Sequence, residues 1–278
     1  MATKMSVSEL ITYSTVLIKC DYADGTSGGG TGFIINLCHN KEDRTFYPAL
    51  VTNNHVVENS IRTEFQFCQA DEEGNPVDTK PYTINYQGND WIHHPDSSVD
   101  LRVLFLASIL EEIDKKGDHI YYAPLETSLI PSQSVLDTLL AIEDVIMVGY
   151  PIGLSDEYNH KPIVRRGITA SHPKKDYQGK KETLLDIACF PGSSGSPVFI
   201  LNQGAYATQK GVTVGGRIYL LGILYGGHEF AKNGVLQFAN LPNLPVPVTK
   251  IPVNLGVMIK ASRILEFENM ITSFTEEA

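Results

Sequence analysis

The stretch "IACFPGSSGSPVF" occupies residues 187–199 and decides how the rest of the chain is read. Two serines sit between Gly192 and Gly195, directly ahead of the strand-like run Pro197-Val198-Phe199-Ile200-Leu201. A surface turn needs one glycine and any polar residue. A pair of glycines around a serine does more, because glycine alone admits left-handed backbone and close approach to a ligand. The cluster therefore reads as a nucleophilic serine whose neighbours present backbone N–H groups. That reading requires a histidine and a carboxylate from elsewhere.

Two segments supply them. "ALVTNNHVV" (49–57) puts His55 where an apolar run gives way to a turn, and "HHPDSSVDLRVLFL" (93–106) puts Asp100 just before a strand. Alone, each fits an ordinary surface or turn residue; together with the serine they follow the chain order His…Asp…Ser known for acyl-transfer machinery. A hydroxyl is a weak nucleophile at neutral pH and needs a base within reach. His55 is expected to take the Ser194 proton and return it to the leaving group. Asp100 is expected to hold the other ring N–H and stabilise the imidazolium. The N–H groups of Gly192 and Ser194 are expected to form the oxyanion hole. Ser194 alone has a glycine two residues before it and another directly after; Ser193 and Ser196 do not. The G-x-S-x-G elbow of α/β-hydrolases fails, because position 196 is serine.

Bulk properties narrow the class. A chain of 278 residues with 42% hydrophobic residues can bury a sizeable core. Its formal charge is −10, and its basic residues cluster no more densely than Lys174-Lys175 or Lys180-Lys181. Nucleic acid is therefore not an expected partner, since phosphate binding needs a concentrated basic face. No apolar run is long enough to span a bilayer, and the first residues lack the apolar core of a secretory signal. A cytoplasmic protein without membrane association is the expectation. Cys20, Cys38, Cys68 and Cys189 have no metal-binding or framework spacing, so they are expected to remain thiols. No metal or other cofactor is expected.

Ten short β-type runs rich in Val, Ile, Thr and Tyr lie between glycine, proline and asparagine clusters, from "TYSTVLIKC" (12–20) to "VNLGVMIKA" (253–261). Without helices between them, they predict antiparallel barrels or sandwiches. Helical pattern appears in "SVSELITY", where Ser6 and Glu9 fit a capping box, in "SILEEIDKK", and in "ASRILEFENMITSF" (261–274). The expected organisation is an N-terminal barrel over 1–110 carrying the histidine and aspartate, and a connection over 111–143. A C-terminal barrel over 144–260 carries the serine, and a helix follows over 261–278. The proline-rich segment "FANLPNLPVPVTKIP" (238–252) reads as an ordered loop.

With these motifs in view, the chain resembles a trypsin-like (chymotrypsin-fold) serine peptidase of the bacterial branch that includes HtrA-type proteases and glutamyl endopeptidases. "GGGTGFII", "VTNNHVV", "VDLRVLFL", "VGYPIGL" and "GSSGSPVF" follow that family's motifs in order over about residues 28–200, and "LLGILYGG" and "NLGVMIKA" extend the match to about 261. The resemblance implies an all-β fold of two antiparallel six-stranded barrels, with the active site in the cleft and a C-terminal helix behind. It implies a serine endopeptidase that cuts protein or peptide substrates through an acyl-enzyme intermediate. The short run after Ala261 leaves no room for the PDZ domain of HtrA-type proteins, and Ser193 stands where digestive relatives carry an aspartate that pairs with a newly cut N-terminus. Regulation would then come from loops or a protein partner. By position in the family, Ala188 forms the floor of the specificity pocket and Leu224-Tyr225-Gly226-Gly227 one wall, with Tyr225–Gly227 pairing with the substrate as an added strand. Uncharged Ala188 favours an apolar or small side chain before the scissile bond; His172 and His228 would have to rescue acidic recognition. The alternatives are a catalytically inactive binding module on the same fold and an esterase using the same triad.

Overall fold

Strands carry almost all the architecture, as the alternation of β-branched runs and turn residues dictates. A computed structural model describes residues 5–38, 46–88, 90–233 and 248–270, with backbone alone at 228–233 and 248–252. The chain opens with α1 (Val7–Ser14), whose Ser6 and Glu9 form the reciprocal capping box that the sequence predicts. The first half then lays down β1 (Thr15–Tyr22), β2 (Ser27–Leu37), β3 (Tyr47–Thr52), the single turn α2 (Asn54–Val57), β4 (Ser60–Ala70), β5 (Pro76–Tyr86), β6 (Ile92–His93) and β7 (Arg102–Phe105). After α3 (Ala107–Lys115) come two short strands, β8 (Ile120–Tyr121) and β9 (Leu125–Glu126), and the helical turn α4 (Gln133–Leu136). These strands form one nine-stranded sheet in the order β5-β4-β1-β2-β3-β7-β6, with β8 added to β4 and β9 to β2.

The second half holds β10 (Asp144–Gly149), β11 (Ile163–Thr169), β12 (Glu182–Asp186), β13 (Pro197–Asn202), the hairpin β14 (Ala205–Thr208) and β15 (Gly211–Val214), β16 (Arg217–Asn233) and β17 (Val248–Lys260). Six of them close into a barrel, β10-β11-β12-β17-β16-β13. The fold is all-β with a closed six-stranded barrel, in line with the sequence reading. The first half differs in detail. Among the described residues no pairing joins β5 to β6, so its path stays open, and part of the polar connection after residue 110 is recruited as β8 and β9.

The core is continuous across the two halves. One apolar cluster takes Phe33, Val51 and Val103 from the first sheet, Val148, Phe199 and Ile223 from the barrel, and Ile264 and Phe267 from the C-terminal segment. Two further clusters lie wholly within one half each. After a 3-10 turn at Ala261–Arg263, residues 266–270 form a short helix. This segment ties back to the first half: Arg263 pairs with Asp96 at 2.7 Å, and the Cys38 N–H donates to Glu268 at 2.7 Å. The proposed loop at 238–252 and the end of the expected helix fall mostly outside the described residues. Among the described residues no helix is long and apolar enough to cross a membrane, no group of three or more His, Cys, Asp or Glu could hold a metal ion, and all four cysteines are thiols.

Candidate active site

Register alone brings His55 to Asp100. β3 and β7 are antiparallel neighbours with Thr52 opposite Arg102, so the turn leaving β3 meets the residues entering β7. His55 lies three residues beyond that pair on one strand and Asp100 two before it on the other. The His55 backbone N–H donates to Asp100 Oδ1 at 2.9 Å, and His55 Nδ1 lies 2.5 Å from Oδ2. Both carboxylate oxygens are therefore spent on one residue, which fixes the ring plane and leaves Nε2 pointing away from the aspartate. Asn53 Nδ2 and the Asn54 N–H both donate to the Asp100 carbonyl, and Arg102 Nε grips Asn54 Oδ1 at 2.6 Å.

Ser194 arrives from the barrel, on the turn between β12 and β13. Gly192 and Gly195 have φ of +85° and +86°, values that side chains rarely tolerate. A Cβ on Gly195 would lie 1.8 Å from the Thr31 carbonyl oxygen, and one on Gly192 would lie 2.6 Å from that of Tyr150. The turn is thus pressed between β2 and the 150–153 segment. The Thr31 N–H donates to the Ser194 carbonyl at 2.8 Å, and a Cβ on Gly30 would touch both that carbonyl and Val56, the residue after His55. Of the three serines, Ser193 and Ser196 are 1% and 0% exposed, whereas Ser194 is half-buried and reachable. Among the described residues no hydrogen bond joins His55 to the Ser194 hydroxyl. Such bonds are often long before substrate binds.

The amides of the turn divide cleanly. The N–H groups of Ser193, Gly195 and Ser196 donate to the carbonyls of Phe190, Leu224 and Ser193, at 3.0, 2.8 and 3.1 Å. Those of Gly192 and Ser194 donate to no acceptor among the described residues. The two groups named from sequence for the oxyanion hole are therefore the two that the turn leaves unspent.

The family model described as a trypsin-like peptidase domain matches residues 30–207, a span that contains His55, Asp100 and the turn at residues 192–196. The chain belongs to that family. Solved structures similar to this trypsin-like peptidase domain include the active form of the Rv3671c protease from M. tuberculosis, with 16% identity and a TM-score of 0.47, covering 93% of this chain and 80% of that one. Another is the apo MamO protease domain from Magnetospirillum magneticum, with 13% identity and a TM-score of 0.44, covering 94% and 98%. No curated protein sequence matches this one.

The remaining expected site residues of the peptidase domain fall around the turn. Ala188 is half-buried ahead of it. Leu224 is 2% exposed with its side chain in the barrel core, so it contributes through its backbone, which exchanges bonds with Gly195 and Ser196. Tyr225 is an extra residue in the β16–β17 ladder, where the register shifts between Leu224 and Gly226. This bulge turns the Tyr225 ring toward a cavity of about 370 Å³ lined also by Ser98, Val99, Asp100, Lys181 and Glu182. Burial, with the Glu182 carboxylate beside it, pushes the phenol up to about 12. Because β13 begins opposite Ile223, no strand among the described residues lies beside the Tyr225–Gly227 edge on that side. A second cavity of about 420 Å³ abuts Gly192, between Leu17, Gly29, Tyr150, Ile152 and Pro191. Cys189 is 7% exposed, and a Cβ on Gly256 would meet its Sγ at 2.5 Å. Burial pushes its thiol up to about 11. His172 caps its own turn by accepting the Lys174 N–H, and the His228 side chain lies outside those described.

Three residues that the sequence reading passed over shape the site. Thr31 Oγ1 accepts the Tyr150 N–H at 3.0 Å and donates to the Gly192 carbonyl at 2.9 Å. The Ile152 N–H donates to the Pro191 carbonyl at 2.6 Å from a left-handed backbone, φ +53°, which is costly for a β-branched residue. Arg165 Nη1 donates to the Ala188 carbonyl at 2.5 Å. "GGGTGFII" already contained Thr31 and "VGYPIGL" contained Ile152; no sequence signal marked Arg165.

Proposed function

We propose that this peptidase domain is a serine endopeptidase in which His55, Asp100 and Ser194 act as the catalytic triad. His55 Nε2 takes the Ser194 proton as the hydroxyl attacks a peptide carbonyl, and Asp100 holds the opposite ring nitrogen and the resulting positive charge. The Gly192 and Ser194 N–H groups receive the oxyanion. His55 then protonates the leaving amine, and water repeats the sequence on the acyl-enzyme. The substrate lies as a strand along Tyr225–Gly227, with Ala188 and Cys189 at the base of the specificity pocket and the leaving segment toward the cavity beside Gly192. The motif order from "GGGTGFII" to "GSSGSPVF" supports the bacterial HtrA-type and glutamyl-endopeptidase-like branch.

The observation that carries this reading is the unspent pair of amides beside the one accessible serine of the turn. Two half-buried amides that no carbonyl of the turn takes are available to a developing oxyanion. Reaction with a fluorophosphonate probe tests it. The wild-type chain should be labelled, and Ser194→Ala should lose the label while keeping its melting temperature. Labelling that survives the substitution would remove Ser194 from the role, and cleavage of esters without any peptide in a proteome-derived library would favour the esterase alternative.

A further inference from the structure

Arg165 sits on the less exposed face of β11, half-buried and opposite Met147 of β10. Among the described residues no carboxylate pairs with it, whereas its neighbour Arg166 pairs with Asp144 at 3.1 Å. A desolvated guanidinium without a counter-ion is expensive, and burial draws its pKa down. Its contacts are instead a neutral carbonyl and a ring: Nη1 lies 2.5 Å from the Ala188 oxygen, and the guanidinium carbon lies 4.8 Å from the centroid of Phe190. Both contacts fall on the loop segment leading into Gly192.

Along that loop the carbonyls are almost all claimed. Ala188 is held by Arg165, Phe190 by the Ser193 N–H, Pro191 by the Ile152 N–H, and Gly192 by Thr31 Oγ1. A planar peptide whose carbonyl is anchored must point its N–H the opposite way. The anchor on Pro191 thus aims the Gly192 N–H, and it holds only if the loop before it stays in place. Ser193 is uncharged and gives the loop no ion pair of its own.

We propose that Arg165 is the positioning residue that braces the loop 188–192 and so keeps the Gly192 N–H aimed at the developing oxyanion, without cleavage or a bound activator. The inference rests on the peptidase reading above. It predicts that Arg165 affects the transition state and not the recognition of substrate.

The test is steady-state kinetics of the full chain on a peptide that the wild type selects from a library, with labelling by the fluorophosphonate in parallel. Arg165→Ala should lower kcat about 10- to 100-fold with KM changed by no more than about 2-fold, and should slow labelling to a similar degree. Millimolar guanidinium should restore part of the loss, and Arg165→Lys, which has no planar fork, should fall between. Phe190→Leu removes the ring alone and should lower kcat without moving the cleavage-site preference, which keeps the idea testable if Arg165→Ala does not fold. Unchanged kcat in both variants would overturn the assignment, as would a shift in cleavage-site preference with turnover on the best peptide retained. A wild-type chain that never reacts with the probe would instead overturn the peptidase reading itself.

Discussion

At the scale of single residues, the chemistry rests on donors that have been assigned and donors that have not. Asp100 accepts two bonds from His55, one from the backbone and one from the ring, and so determines both where the ring sits and which nitrogen carries its proton. Asp100→Asn keeps the shape but offers an N–H where the ring needs an acceptor. Turnover should fall by about 10⁴-fold, with substrate binding kept; near-normal kcat would mean that another group orients the imidazole. Cys189 makes the opposite case, a group silenced by its surroundings. With its thiol pushed up to about 11 by burial, roughly one molecule in 10³ carries the thiolate at pH 8. Alkylation should therefore be slow in the folded chain and fast after unfolding, as mass spectrometry would show. The sign for stability follows: the neutral thiol favours folding below the ordinary pKa of about 9, and that contribution is lost as pH rises through about 11. His55 and Ser194 stood out in the sequence only together, because the glycines around the serine and the order His…Asp…Ser have few other uses in combination. Arg165 did not, since an arginine on a strand looks the same whether it faces solvent or a carbonyl.

Among the elements, β2 does more than fill a sheet. Its Thr31 spans the gap between the halves, taking the Tyr150 N–H and giving its own hydroxyl proton to Gly192. Thr31→Val keeps the volume and removes both bonds, leaving a buried amide unpaired at a cost of about 1–3 kcal/mol. The melting temperature should drop slightly, and kcat should drop by at least about tenfold because the oxyanion loop loses an anchor. A variant with wild-type kcat would show that the loop is held without it. The bulge at Tyr225 and the left-handed Ile152 are element-level facts that no periodicity announces. A strand reads as a strand in the sequence, whereas the one residue that slips out of register depends on what the neighbouring strands leave unpaired. The capping box of α1 lies at the other extreme, since both partners are three residues apart in one segment.

For the molecule as a whole, the proposed triad requires the two halves to stay locked, because His55 and Asp100 come from one and Ser194 from the other. The shared apolar cluster does this, with Phe267 at 1% exposure and its ring edge-on to buried His94, 5.1 Å between centroids. Phe267→Ala should destabilise the chain by about 3–5 kcal/mol. Activity should decay at lower temperature than in the wild type, in step with the melting curve; activity outlasting the melt would mean that the halves are held together elsewhere.

Residue chemistry and strand period, both local properties, were enough to expect an all-β chain and to single out the serine turn, the histidine and the aspartate, and the resemblance of those motifs pointed to the peptidase family. They could not say that the first sheet stays open, that Leu224 faces the core, or that Arg165 reaches back to Ala188. Those depend on which strands become neighbours and on which polar groups their pairing leaves over. Hydrogen bonds between residues far apart in sequence are chosen only when the packed chain decides what lies within about 3 Å of each donor.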